Sequence, residues 1–511
     1  MPVGEGSETS TMKYRSLCLP SLVTVAVLSL SSVAVAEPVS FAPAPLEASD
    51  MSVQNPWSGL YEWNGQEMID LPEAAPDSYR RFVWKDFEIA KDQYDFTKLE
   101  ARLAEAKEKG QRFSFRLRAM TSEGLQVPDY IEQYGNYSDG LWYPDWNDTN
   151  FLGRYRALFQ AIGAKYDGDE RLGYVEIGVY GKWGEGHSPG PNGATDETKK
   201  ALVDMVVDAF PSHRHIAMSD DEVMLFHALE KSPKTGWRRD SLGWVHFYKT
   251  PEDEFSGDTG RWTLFAERWK TAPIVTEFAP WDDSNPDKAR ESFFDRALLG
   301  VQKFHAAEVS NGNLDVNASE LTEAEMEKFA ELHWRTGLRP RLVKVEVDTQ
   351  TGSNKLSASW ENLGTAPAYE HYEVIWGLRD PATKESIWNT TSGLDLETLL
   401  PTEGTPIVVE DAFTIPTQLA GKTLELTVQI VDPTQYRKPL HLVTQGREAE
   451  GVYPIGTLTL VEGPAAGPGL DAADEGGCAC RAASTGSGSA SAAVIAMAAG
   501  LALRVRRRRV D

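Results

Sequence analysis

The chain has 511 residues, a length that predicts two or three domains. Apolar residues make up 41% and charged residues 25%, ordinary globular values that exclude a wholly disordered or fibrous chain. The net charge is −25; residues 1–36 carry two acids and two bases, and the tail from Gly463 carries six Arg against four acids, so the body between holds about −27. Such an acidic body has no electrostatic reason to seek nucleic acid or anionic membrane. Both long apolar runs lie at the extreme ends, which excludes a polytopic membrane protein.

The amino end has Lys13 and Arg15, an apolar run, and then the small-residue pattern Ala34-Val35-Ala36. This predicts a secretory signal over residues 1–36, cut after Ala36, with Met12 an alternative start, and hence an exported protein. The body between residues 37 and 462 has no Cys, so an exported chain of this kind rests on a large core rather than on disulfides. Residues 463–511 read as a flexible linker, then Cys478 and Cys480, a short apolar run and the basic cluster Arg504–Arg509. That run is shorter than the ~20 residues that span a bilayer. The order of these parts resembles the C-terminal sorting signals of surface proteins of myxobacteria, which are Gram-negative. The resemblance implies processing near Cys478 and Cys480 by sorting machinery, display at the cell surface, and membrane contact through the tail alone.

Between residues 37 and 338, short apolar segments alternate with amphipathic helical ones. Strands are predicted at 59–63, 79–84, 113–120, 172–180, 215–220, 242–248, 273–278 and 304–310. Helices are predicted at 96–110, 151–165, 196–210, 222–231, 259–270, 286–300 and 321–335. In the first, Leu99, Leu103 and Ala106 recur at helical spacing and Gly110 stops the run. This count predicts a (β/α)8 TIM barrel; a doubly wound sheet is disfavoured because no Gly-rich phosphate turn follows a strand. Over 339–462 the period becomes two, predicting an antiparallel β-sandwich of about eight strands, including one at 440–445.

Barrel chemistry sits at the C-terminal strand ends. After strand four, a Gly-rich loop carries Trp183, Glu185 and His187, and near the end of strand seven come Glu277 and then Trp281. Two carboxylates facing each other across the barrel suit glycoside hydrolysis, one protonated as general acid and the other ionised. Glu277 on a rigid strand end suits the nucleophile. Glu185 suits the acid/base, with Trp183 expected to raise its pKa by desolvation. Arg118 ends strand three, where it is expected to hold Glu277 ionised or to contact a sugar hydroxyl; His246 and Tyr248 end the predicted strand six, and Asp220 and Asp221 follow strand five. Trp63, Trp84 and Trp281 offer flat faces to sugar rings.

The stretch from Arg81 to Arg118 resembles the second and third strand units of the clan of retaining glycoside hydrolases whose acid/base and nucleophile sit on strands four and seven. The segment 173–187 resembles a branch of those barrels in which strand four ends in a Gly-x-Trp-Gly-Glu loop. The resemblance covers about residues 56–335 and implies a carbohydrate substrate, β-linked and cleaved with retention. It also matches Tyr248 to a Tyr that hydrogen-bonds the nucleophile. Better-known members carry Asn-Glu at the end of strand four, where this chain has Gly178-Val179. Glu176 therefore stands as an alternative acid/base, pointing into the barrel or pairing with Arg116 or Arg118. A catalytically inactive barrel that binds surface glycans is the alternative function. No cofactor is expected. His213 and His215 lack a third ligand for zinc, and residues 282–287 lack the spacing of a calcium loop, so no metal is expected either.

Overall fold

A computed structural model describes residues 37–463 apart from 49, 64–74, 313, 315–317 and 403. The expected signal over 1–36, and Cys478 and Cys480, lie outside the described residues. Nine short strands form one parallel sheet. Two of them, Gly59–Leu60 and Glu62–Trp63, are halves of one barrel strand separated by Tyr61. The first half pairs with strand eight, Glu308–Ser310, and the second with strand two, Asp77–Val83. The ring runs on through strand three (Arg112–Arg118), four (Leu172–Ile177), five (Arg214–Met218), six (Thr235–Leu242) and seven (Ile274–Phe278). This is the (β/α)8 arrangement.

Each strand from the second on is followed by helix, the first being Thr97–Lys109. That helix buries Leu99, Leu103 and Ala106 and ends on Gly110, whose φ of 71° favours a residue without Cβ. The next helix, Thr149–Tyr166, starts where the Asp148 side chain accepts from the amides of Asn150 and Phe151.

Strand six differs from the expectation. Of the expected strand 242–248 only Leu242 is in one; the strand is Thr235–Leu242, and Val245–Phe255 is a helix. Gly243, with φ of 95°, turns the chain, and Phe247, Pro251 and Phe255 are then buried at helical spacing. On the true strand, Trp237 stacks flat on Phe265 outside the ring (4.2 Å) while Arg238 is fully buried within it.

Two four-stranded antiparallel sheets follow. One orders Val39–Phe41, Pro340–Val347, Gly352–Asn362 and Ile407–Ile415; the other orders Ser386–Thr391, Glu373–Arg379, Thr423–Val431 and Tyr453–Thr459. Their facing sides bury Leu342, Leu356, Trp360, Trp376, Val428 and Ile430 in one core. The predicted strand at 440–445 is not formed: Leu440, Leu442 and Val443 are buried, but only Thr444 makes an isolated bridge, to Pro45. The eighth strand is Val39–Phe41, from the stretch assigned by sequence to the barrel.

The sandwich meets the foot of the barrel through buried charge. Arg437 pairs with Asp77 at the start of strand two (2.7 Å) and with Glu370 (2.9 Å), and donates to the carbonyl of Pro76. Glu370 also takes Arg112 and the indole N–H of Trp57, each at 2.9 Å. Burial would raise the Glu370 carboxyl, but Arg437 and Arg112 outweigh it and bring it down to about 2. Its stabilising share is therefore complete above the unfolded value of about 4.3 and is lost as pH falls toward 2. Arg437→Met leaves two buried carboxylates without their shared cation and is expected to cost about 3–5 kcal/mol of unfolding free energy at pH 7. Chemical denaturation reads this; a loss under about 1 kcal/mol would contradict the role given to this contact.

Candidate active site

Successive strand residues point alternately into and out of a barrel, so each strand offers a short column of inward side chains. Here the columns make two layers. The lower is aromatic: Trp57, Tyr61, Trp63, Tyr79 and Tyr174 form one buried cluster, with Tyr79 stacked between Trp63 (5.1 Å) and Tyr174 (6.0 Å). The upper is ionic. Two residues on from Tyr79 and Tyr174, the same columns carry Arg81 and Glu176, joined by Arg116 of strand three, Arg238 of strand six and Glu277 of strand seven.

Glu176 is fully buried, paired with Arg116, accepting from the Tyr79 hydroxyl, and 3.8 Å from Arg238. Burial would raise its carboxyl, but Arg116 and Arg238 hold it below the usual range. Of the roles open to it in the sequence, the structure has the pairing with Arg116.

Glu277 is 2% exposed and is held by Arg81 Nη2 (3.1 Å) and by Arg238. Gly312, just after strand eight, packs onto it; a Cβ there would lie 1.8 Å from Glu277 Cγ, so only glycine fits. Glu185 reaches the same place from the loop after strand four. Gly184 (φ 72°) lets that loop fold back until a Cβ would lie 2.1 Å from the Gly178 carbonyl oxygen. Arg116 Nη1 then donates to the Trp183 carbonyl (3.0 Å) and to Glu185 Oε1 (3.1 Å). Arg81 Nη1 also meets Glu185 Oε1 at 3.1 Å, so one guanidinium spans both carboxylates.

Glu185 titrates opposite to expectation. Burial pushes its carboxyl up, but the His187 hydrogen bond and the charges of Arg116, Arg81 and Arg238 hold it well below the usual carboxylate range. Trp183 does not set this value: its ring lies edge-on to His187 (5.6 Å) with the Lys182 ammonium over its face (4.8 Å). His187 Nε2 lies 3.4 Å from Glu185 and 3.8 Å from Asp220. The Glu185 hydrogen bond, opposed by burial and aided by the charge of Asp220, raises the His187 imidazole. Burial and the charge of Asp240 push Asp220 up to about 6, against the pull of His187.

The other expected residues divide. Arg118 stands at the end of strand three beside this layer. His246 and Tyr248 went with the misplaced strand: they lie on the helix Val245–Phe255, His246 exposed beside Trp244 (5.4 Å) and Tyr248 half-buried. Among the described contacts, Arg81 and Arg238 hold Glu277 in the place given to Tyr248. Trp281 packs edge-on to Phe293 (5.7 Å) and its face is taken by Arg290 (4.6 Å). Trp84 is a core residue stacked on Tyr155 (4.6 Å), and Trp63 lies under Arg81 (4.5 Å) inside the barrel. Asp221 caps the helix Glu222–Lys231 and pairs with Lys199 (2.6 Å). His213 accepts from the Gly168 amide (2.9 Å) while His215 is buried and pushed down to about 3 by burial. No group of three or more possible metal ligands occurs among the described residues. Arg81 and Arg238 were not singled out in the sequence; counting cations on the inward parity of each strand would have found them.

No family model matches the chain. No curated protein matches it either. Among solved structures it is similar to the lactosyl-enzyme intermediate of endo-glycoceramidase II from Rhodococcus sp., with 10% identity over 74% of this chain and 97% of that one, at a TM-score of 0.37. It is also similar to a glycoside hydrolase (12% identity, 54% and 99% covered, TM-score 0.35) and to β-galactosidase from the psychrophilic Marinomonas ef1 (11%, 51% and 55%, 0.34). At such scores these likenesses carry no argument about this chain, and its fold rests on its own strand order.

Arg81→Met removes one of the cations that hold Glu185 ionised. The Glu185 carboxyl is expected to titrate higher than in the parent, while staying below the ordinary value of about 4.3 because His187 and Arg116 remain. Carboxyl-carbon NMR of both proteins reads the shift; an unchanged value would contradict the bridge.

Proposed function

We propose that the protein is an exported glycoside hydrolase that cleaves β-linked sugars with retention, Glu277 being the nucleophile and Glu185 the acid/base. The observation that carries this reading is the single Arg81 guanidinium reaching Glu185 and Glu277 at 3.1 Å each. Retention needs carboxyls about 5–5.5 Å apart, against about 6.5–9.5 Å for inversion. A planar fork whose two nitrogens bind one carboxylate each keeps the pair at short separation. Burial of Glu277 among two guanidiniums also suits a nucleophile that must stay ionised.

At rest Glu185 is ionised, so it needs a proton before it can act as an acid. His187, hydrogen-bonded to Glu185 and beside Asp220, is placed to supply one. As a sugar enters and takes Arg81 for its hydroxyls, Glu185 loses one of the cations that depress it and accepts the His187 proton. Protonated Glu185 then gives that proton to the glycosidic oxygen as Glu277 attacks the anomeric carbon and the leaving group departs. In the second half Glu185, again a carboxylate, takes a proton from the water that attacks the glycosyl ester, and Glu277 is released.

The test assays intact cells and purified protein on a panel of aryl β-glycosides, beside Glu277→Gln and Glu185→Gln. Glu277→Gln is expected to abolish turnover on every substrate. Glu185→Gln is expected to lose roughly 10²–10⁴-fold where the leaving group needs a proton, and less with activated leaving groups. A parent inert on the whole panel that still binds polysaccharide would overturn this reading in favour of a surface glycan-binding barrel.

A further inference from the structure

The ionic layer is paired almost throughout. Arg81 meets Glu185 and Glu277, Arg116 meets Glu176 and Glu185, and Arg238 meets Glu277 and Asp240, the last at 2.7 Å. Arg118 is the exception. It is two residues beyond Arg116 on strand three, hence on the same inward column and one step nearer the open end. It has no carboxylate within ion-pair distance among the described residues; its Nε, like those of Arg81 and Arg116, is buried with no acceptor.

Its position is fixed by the catalytic loop. Its Cγ lies 3.2 Å from where a Cβ on Gly184 would be, which sets its guanidinium beside the segment that carries Glu185. Burial, then the neighbouring charges of Arg81 and Arg116, push Arg118 down to about 10, against the weaker pull of Tyr79 and Glu185. Lys182, over the face of Trp183 on the same loop, likewise has no acidic partner among the described residues. The further acids of this end, Asp220 after strand five and Asp240 on strand six, lie on the far side of strand four and face His187 (3.8 Å) and Arg238 (2.7 Å). The opening is therefore polarised, with unneutralised cation on the strand-three side, in a chain whose net charge is −25.

A largely buried cation with no ion-pair partner is costly to hold, and a guanidinium binds planar anions through two parallel hydrogen bonds. We propose that Arg118 is the anion-binding group of a sugar subsite, and that the substrate carries a negative substituent, a uronate carboxylate or a sulfate ester, on a ring beside the cleaved bond. This rests on the hydrolase reading of the same site and narrows its substrate class. Lys182 is placed to add a second, more exposed charge to the same ring.

Binding separates this proposal from the hydrolase reading, because it needs no turnover. Calorimetric titration of the Glu277→Gln protein with size-matched uronate-containing, sulfated and neutral oligosaccharides is the experiment, repeated with Arg118→Met and Arg118→Lys in the same background. At least one anionic set is expected to bind roughly 10–100-fold more tightly than the neutral set, as a charge-assisted pair gives. That ratio is expected to fall toward one in Arg118→Met, to be kept in part by Arg118→Lys, and to shrink with added salt in the parent. The uronate and sulfate arms decide which anion is taken. Selectivity without hydrolysis in the parent would sink the hydrolase reading alone. Equal binding of all three sets, or an anionic preference that survives Arg118→Met, would overturn the subsite. Should Arg118→Met fail to fold, Arg118→Lys and the salt series still decide it.

Discussion

The planar fork of Arg81 touches Glu185 and Glu277 at once, and the rest of the upper barrel is arranged so that this contact exists. A buried ionic layer is stable only where each charge finds a partner, since an isolated ion away from water costs far more than a pair returns. Here the partners come from different strands: arginines from two, three and six, and carboxylates from four, the loop after four, and seven. Removing any one strand's contribution leaves an uncompensated charge on another. The layer thus makes the ring's closure and the site's geometry one and the same constraint.

Beneath it, the aromatic layer does the packing. Trp63 lies under the guanidiniums of Arg81 (4.5 Å) and Arg238 (5.1 Å), and Tyr79 gives its hydroxyl to Glu176, so the two layers are joined by cation–ring contacts and a hydrogen bond. Trp57, at the foot, passes the chain on to Glu370 of the sandwich, where Arg437 and Arg112 balance the charge. The sandwich therefore braces the end of the barrel opposite the site, through the same device of arginines set between carboxylates.

Much of the fold was legible because helix and strand periods are local. Leu99, Leu103 and Ala106 announce their helix, and the period-two texture after residue 339 announces the sandwich. That Glu185 and Glu277 come together was legible because the C-terminal ends of barrel strands converge on one mouth. Strand six was not, since Trp237-Arg238-Arg239-Asp240 reads as a polar stretch until other strands bring Glu277 and Tyr61 to Arg238. His246 and Tyr248 were lost with it. The direction of the Glu185 titration was missed for the same reason. A neighbouring Trp is visible in sequence, whereas three guanidiniums converging from other strands are not.

The account stands most directly on Glu277 forming a glycosyl ester. The protein is incubated with a panel of 2-deoxy-2-fluoro β-glycosides carrying activated leaving groups and then digested for mass spectrometry. The predicted result is a peptide heavier by one fluoroglycosyl unit, with the modification on Glu277 and absent from Glu277→Gln. A label on any other residue, or turnover with inverted configuration and Glu277 unmodified, would contradict the mechanism.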